Sequence, residues 1–322
     1  MSEQNFQDIR ILSEADIKGL TNMGDAIGAM EAAFSSFSDG SSYVPQRSVS
    51  SLNDINLFLK PAFNEKLGRI CVKILTQKTG SNSSEIPTIL GVVLLMDMKT
   101  GAILSMMDGA YITALRTGAA GGIATKLLAP ENSETVAIFG CGTQGKTQLE
   151  AVCRVRPIKR ALLYDLNADA AMKLKMEMEE KENISIQVLN SPEYLHEADI
   201  ICTTTNSKHP LFSHKDISKG THINAIGSYK PDMQEIDPEI IKSGNLFVDS
   251  KESVLKESGD LIKPINENIF DQSIIVGEIG ELINNKINGR SDDNEITIFK
   301  SVGLGVQDLF MANMIYEKYL QH

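Results

Sequence analysis

The chain of 322 residues is 42% hydrophobic and carries a formal net charge of −11. That balance argues against nucleic acid and anionic membranes as partners, and no apolar run reaches the roughly 20 residues that a membrane helix needs. The length suits two domains, each large enough for its own core.

In chain order, Met1 to Asp8 lack the basic and apolar regions of a signal peptide, so a cytoplasmic protein is expected. Ser13 caps a first helix with Asp16 at the capping-box position, and residues 24–37 carry apolar side chains at helical spacing. Strand-like runs follow at 55–59, 70–75, 89–97 and 102–107, the last two flanking the hairpin turn Met98-Lys-Thr-Gly101. Helix returns over 110–128 and is broken by Pro130. From there strands at 135–139, 160–165, 184–189, 200–204, 222–226 and 245–249 alternate with helical stretches, notably 168–181. A last helix, about 306–319, carries Leu309, Phe310, Ala312, Met314 and Ile315.

The stretch from Thr135 to Gly145 is the strongest local signal. An apolar β-branched run feeds directly into Gly140-x-Gly142-x-x-Gly145, and Leu149, Val152 and Cys153 then fall on one side of a helix. Strand, glycine turn and helix in this order form a dinucleotide fingerprint. Gly140 permits the tight turn, Gly142 lets backbone approach a pyrophosphate, and Gly145 lets helix and strand pack closely. Free N–H groups and the helix dipole favour the phosphate's charge. The next apolar run, Ala161 to Tyr164, ends in Asp165, whose carboxylate can accept from a ribose 2′-hydroxyl. Asp165 would repel a 2′-phosphate, and Leu166-Asn-Ala offers no arginine to bind one, so NAD is favoured over NADP. Cys202-Thr-Thr-Thr205 ends a later strand, where sheets of this kind bind ligands.

The expected fold is α/β: a Rossmann-type doubly wound parallel sheet over 126–304, preceded by a smaller α+β domain over 1–125. The terminal helix, 305–322, is expected to pack back on the first domain. Cys71, Cys141, Cys153 and Cys202 show no paired spacing and read as buried thiols. The five histidines are scattered without ligand spacing, and no metal site is expected.

Four residues of the first domain stand out. Lys73 interrupts an apolar strand, Arg116 sits among small residues that leave no bulk to shield it, Arg47 follows Val44-Pro-Gln, and Thr88 follows Pro87. Long basic side chains among apolar neighbours mean either snorkelling or a bound anion.

Several segments together resemble the ornithine cyclodeaminase/µ-crystallin family over nearly the whole chain. They are Pro87-Thr88…Gly91, Asp97-x-x-Thr100-Gly101, Asp108-Gly-x-x-Ile-Thr-Ala-Leu-Arg-Thr-Gly-Ala119, the glycine turn, and Lys300-Ser-Val-Gly303…Gln307-Asp308. The resemblance implies a homodimer built through the first domain and NAD(P)-dependent chemistry at the carbon between a nitrogen and a carboxylate. Arg47, Lys73 and Arg116 would bind the carboxylate, with Thr88 lining the site and Lys73 or a bound water delivering a proton. Candidate cofactor contacts are Thr113, Thr143, Gln144, Thr203, Thr204, Gly227 and Gly303, beside the fingerprint glycines and Asp165.

One loop separates subgroups. Cyclodeaminases of this family keep an aspartate two residues after a glycine and two before a proline; here Gly227-Ser-Tyr229-Lys-Pro231-Asp232 places a tyrosine there. A phenol, with an ordinary pKa of about 10, is a poor base at neutral pH. The loop resembles the ketimine-reductase branch, so reduction of Δ1-pyrroline-2-carboxylate to L-proline is expected. The alternatives are ornithine cyclodeaminase, alanine dehydrogenase and a low-turnover nicotinamide-nucleotide binding protein.

Overall fold

The computed structural model of the protein describes residues 9–78 and 89–321. Its contacts divide the chain into two compact units, Met1–Arg116 with Leu304–His322, and Thr117–Gly303. The division falls inside a helix, and the C-terminal helix belongs to the first unit.

The first unit comprises β1 (Arg10–Leu12), α1 (Glu14–Leu20), α2 (Met23–Ser38), β2 (Ser42–Tyr43), β3 (Ser48–Leu52), β4 (Ile55–Asn64), β5 (Arg69–Lys78), β6 (Ile89–Asp97), β7 (Ile103–Asp108) and the start of α3 (Gly109–Leu128). Ser13 and Asp16 form the expected capping box of α1, and Asn22 with Asp25 forms a second one on α2, each satisfying two backbone N–H groups. The strands make one sheet in the order β1-β7-β6-β5-β4-β2, with β3 on β4; β1 runs parallel to β7 and the other pairs are antiparallel. Alternation decides the faces. Lys60 and Ala62 of β4, Cys71, Lys73 and Leu75 of β5, Val93 and Leu95 of β6 and Met107 of β7 are buried on one face. On the other face Val72, Ile74, Leu94 and Met106 are only half covered within the chain. The C-terminal helix, Gly305–Gln321, packs on α2 and β5.

The second unit adds β8 (Thr135–Phe139), α4 (Thr143–Val155), β9 (Arg160–Tyr164), α5 (Ala168–Glu182), β10 (Ser185–Leu189), β11 (Ile200–Thr203), β12 (His222–Ala225), α6 (Pro238–Ser243), β13 (Asn245–Val248), α7 (Lys251–Glu257), α8 (Gly259–Asn266), β14 (Ile275–Glu278), α9 (Ile279–Ile283) and β15 (Thr297–Lys300); the C-terminal helix is α10. All eight strands are parallel, in the order β10-β9-β8-β11-β12-β15-β13-β14. Separate apolar clusters cover the two faces: Ile138, Leu149, Val152 and Leu163 belong to one, Ala137, Leu162, Ile223 and Ile298 to the other. Each buried Val, Leu or Ile among them contributes about 1.5–3 kcal/mol over leaving it in water. This is the expected doubly wound α/β sheet. Two of its strands, β14 and β15, were not anticipated. Each is a four-residue run, and β15 enters between β12 and β13, a placement set by contacts across the sheet and not by local pattern.

Candidate active site

Three elements of the first unit converge on one buried cluster. Strand β5 carries Lys73 in its interior, completely buried and not at a strand edge, directly opposite Lys60 of β4 in the antiparallel register. Gly109 opens α3 at close quarters: a β-carbon there would lie 2.8 Å from the Gly91 carbonyl carbon, so α3 starts hard against β6. Thr113 and Arg116, three residues apart, share one face of the helix. Gly305 does the same for α10, where a β-carbon would sit 2.7 Å from the Pro61 carbonyl oxygen. Asp308 follows in the first turn of α10, where a negative charge suits the helix dipole.

Lys73 Nζ donates to Asp308 Oδ1 at 2.7 Å and to Thr113 Oγ1 at 3.1 Å, while Thr113 Oγ1 donates to the Gly109 carbonyl at 2.7 Å. Two of the three ammonium protons are thus engaged among the described residues. Arg116 was expected to stand unshielded among small neighbours. Instead it is 6% exposed, its Nε 3.4 Å from Asp308 Oδ1 and its Nη1 donating to Gln307 Oε1 at 3.2 Å. The small residues around it let α3 pack while Gln307 and Asp308 bracket the guanidinium. The guanidinium of Arg47 sits 5.6 Å from the ring of Phe58, two residues before Lys60 and so on the same face of β4. Burial, then the charge of Arg116, pushes Lys73 down to about 8 against the pull of Asp308. Arg116 Nε, Gln307 Nε2 and Asp308 Oδ2 are buried without a hydrogen-bond partner among the described residues. Lys60, Lys73 and Arg116, with Arg47 near Lys60, leave an excess of positive charge around Asp308 among the described residues. Thr88 lies outside the described residues.

In the second unit the glycine turn has the geometry that a dinucleotide requires. Gly140 has φ +91°, and a β-carbon on it would meet the Thr204 carbonyl oxygen at 2.9 Å. A β-carbon on Gly145 would collide with the Gly140 carbonyl, whereas one on Gly142 would meet nothing within 4 Å. Gly142 is the N-cap of α4, and among the described residues no side chain caps that first turn and buried Gln144 Oε1 has no hydrogen-bond partner. Thr143 is exposed beside it. Asp165 Oδ2 accepts from Cys141 N at 2.6 Å and Oδ1 from Asn167 N at 2.8 Å, so the strand-end acid also braces the turn. Thr204 Oγ1 bonds the carbonyls of Phe139 and Gly140, tying β11 to β8 where strand order reverses. These residues fit NAD. Gly303, at φ +82°, donates its N–H to Asp249 Oδ2.

Residue order assigns no role to three groups, although Asp308 lies within the Lys300…Asp308 segment. Lys60 falls just past the expected end of its strand and before Pro61, which reads as a strand breaker. In the structure β3 pairs with 55–59 and β2 with 63–64, so Pro61 falls in the gap between them. Asp308 stands 235 positions from Lys73. Glu235, completely buried, accepts from Thr203 Oγ1, Thr205 N and Oγ1 and Ser228 N, clamping the end of β11 to the loop that carries Gly227 and Tyr229. A β-carbon on Gly227 would strike that carboxylate. Burial and the nearby Asp260 push Glu235 up, with Lys300 opposing. Tyr229 is half-buried on the apolar cluster with Lys230 Nζ 5.5 Å from its ring. Asp232, the other carboxylate of that loop, is exposed and ion-paired to Lys208 at 2.9 Å.

The family model described as ornithine cyclodeaminase/mu-crystallin matches residues 7–322. The chain belongs to that family. This family member is 39% identical over 315 residues to Delta(1)-pyrroline-2-carboxylate reductase of Bacillus cereus, with 97% of each chain covered. Among solved structures it is similar to the Thermococcus litoralis Delta(1)-pyrroline-2-carboxylate reductase in complex with NADH and L-proline, at a TM-score of 0.94 and 39% identity over 98% of each chain. An archaeal alanine dehydrogenase dimer with bound NAD matches at a TM-score of 0.91 and 35% identity, covering 97% of this chain and 96% of that one.

Proposed function

We propose that this protein is an NAD-dependent Δ1-pyrroline-2-carboxylate reductase that forms L-proline. The cluster of buried Lys60, Lys73 and Arg116 with half-buried Arg47, beside the carboxylate of Asp308, carries the reading. It suits a small acid, and relatives sharing 39% of the sequence are named for this substrate. Arg47 and Arg116 hold the substrate carboxylate, since a guanidinium fork matches it. Lys73, its pKa near the working range, gives its free proton to the imine nitrogen and so makes the adjacent carbon electrophilic. Asp308 keeps the Lys73 ammonium oriented and Thr113 fixes its direction. Gly140, Gly142, Thr143, Gln144, Gly145, Asp165 and the strand ends at Thr203 and Thr204 would hold NADH, which would supply the hydride when bound.

In this reading the first unit is the substrate-binding and dimerisation domain and the second the dinucleotide-binding domain. The half-covered apolar face of Val72, Ile74, Leu94 and Met106 supports a homodimer. A cytoplasmic location fits a helix set in which, among the described residues, none is long and apolar enough to cross a membrane. Tyr229 in place of an aspartate, and Asp232 held at the surface, favour reduction over cyclodeamination.

The test is NADH and NADPH oxidation with pyrroline-2-carboxylate, piperideine-2-carboxylate, and pyruvate plus ammonia. Ornithine with NAD⁺ completes the set. Pyrroline-2-carboxylate should be reduced most efficiently, and ornithine should turn over at least ~1000-fold less efficiently, a barrier difference of about 4 kcal/mol. Rapid ammonia release from ornithine would replace this reading with cyclodeamination.

A further inference from the structure

Lys60 has no part in the chemistry above, yet it is the least expected charge in the molecule. It lies on the buried face of β4, directly opposite Lys73 in register. Opposed side chains on paired strands stand about 5 Å apart at Cβ, and like charges there are destabilising. Asp308, the carboxylate of this cluster, is already shared by Lys73 and Arg116. Of the charges acting most strongly on Lys60, Lys73, Arg47 and Arg116 oppose its proton and Asp308 favours it. Stability alone favours an apolar residue at this point of a buried strand.

We infer that Lys60 is a specificity-determining residue: it makes the end of the carboxylate pocket next to Lys73 repel a second ammonium group, so that diamino acids are excluded and acids with an uncharged remainder are admitted. The inference rests on the carboxylate-pocket reading. Whether or not Lys60 holds its proton, an ammonium placed beside it meets Lys73, Arg47 and Arg116 with Asp308 already committed. The four-carbon stem of Lys60 offers an uncharged ring a surface to lie against.

The test compares L-ornithine with L-norvaline, which has the same carbon chain without the terminal amine, by calorimetric titration into the NADH-saturated protein. Norvaline should bind the wild-type protein at least ~100-fold more tightly. Lys60→Met keeps the stem and removes the amine; the preference should fall at least ~10-fold, and Lys60→Glu should lower it further. A purely structural role for Lys60 weakens both ligands together and leaves their ratio unchanged, which would overturn the inference. Near-equal binding of the two ligands to the wild-type protein would overturn it too, with no variant needed. The titration needs no turnover, so loss of the reductase reading appears separately, as failure to oxidise NADH with pyrroline-2-carboxylate.

Discussion

Lys73 and its two charged neighbours make a prediction with opposite signs. Burial and Arg116 push the Lys73 ammonium from its ordinary 10.5 down to about 8, while Asp308, 2.7 Å away, pulls it up. If Lys73 gives the proton, kcat/KM falls as pH rises through about 8, because the free enzyme then lacks it. Asp308→Asn keeps the shape and removes the charge. An opposite charge at such a distance is worth about 1–3 pKa units, so the alkaline limb should move down by at least ~1 unit, a loss of about 1.4 kcal/mol in holding the proton. Arg116→Gln removes a repelling cation and should move the limb up, while kcat/KM at its plateau falls at least ~100-fold, about 2.7 kcal/mol, with the substrate carboxylate less well held. Bound substrate carboxylate adds a further negative charge, so the limb in kcat should lie above that in kcat/KM. Initial rates of NADH oxidation from pH 6 to 10, for all three proteins, check this. Titration of the substrate's own nitrogen is common to all three and cancels in the comparison. Limbs that stay put in both variants, or shift in the same direction, would refute the role given to Lys73.

Asp165→Ser removes both the charge that opposes a 2′-phosphate and a brace on the glycine turn; the NADH/NADPH efficiency ratio should shift at least ~10-fold toward NADPH, about 1.4 kcal/mol, and a wild-type preference for NADPH would contradict this reading. Glu235→Gln replaces one acceptor oxygen by an NH2 donor facing the donor at Thr205 N or Ser228 N. It should cost about 1–3 kcal/mol, lower the melting temperature by several degrees and raise KM for NADH; an unchanged melting curve would show the clamp to be idle. His222 is buried, its Nδ1 2.9 Å from Thr297 Oγ1, and burial followed by the charge of Arg290 pushes it from 6.5 down to about 3. The unfolded chain therefore takes up that proton first as pH falls. The stability His222 protects is full above pH 6.5 and is lost toward pH 3, reaching about 2 kcal/mol at pH 5. Urea unfolding at pH 7 and 5 should show His222→Gln losing less over that interval than the wild-type protein.

Local rules were enough for much of this molecule. The capping box at Ser13, the turn closed by Gly101 at φ +73°, the strand–glycine–helix unit at Thr135–Val155 and the acid ending β9 each depend on residues a few positions apart. For that reason the parallel sheet, the nucleotide turn and the odd placement of Lys73 and Arg116 could be read from residue order alone. Tertiary structure decided what depends on distant partners. It put Asp308 of the last helix against Lys73 and slid β15 between β12 and β13. It also carried Glu235 back to the end of β11, and kept β4 extended through Pro61 so that Lys60 faces Lys73. A charge in a chain reads as solvated until its neighbours are known; only the packing of β4, β5, α3 and α10 brings Lys60, Lys73, Arg116 and Asp308 together.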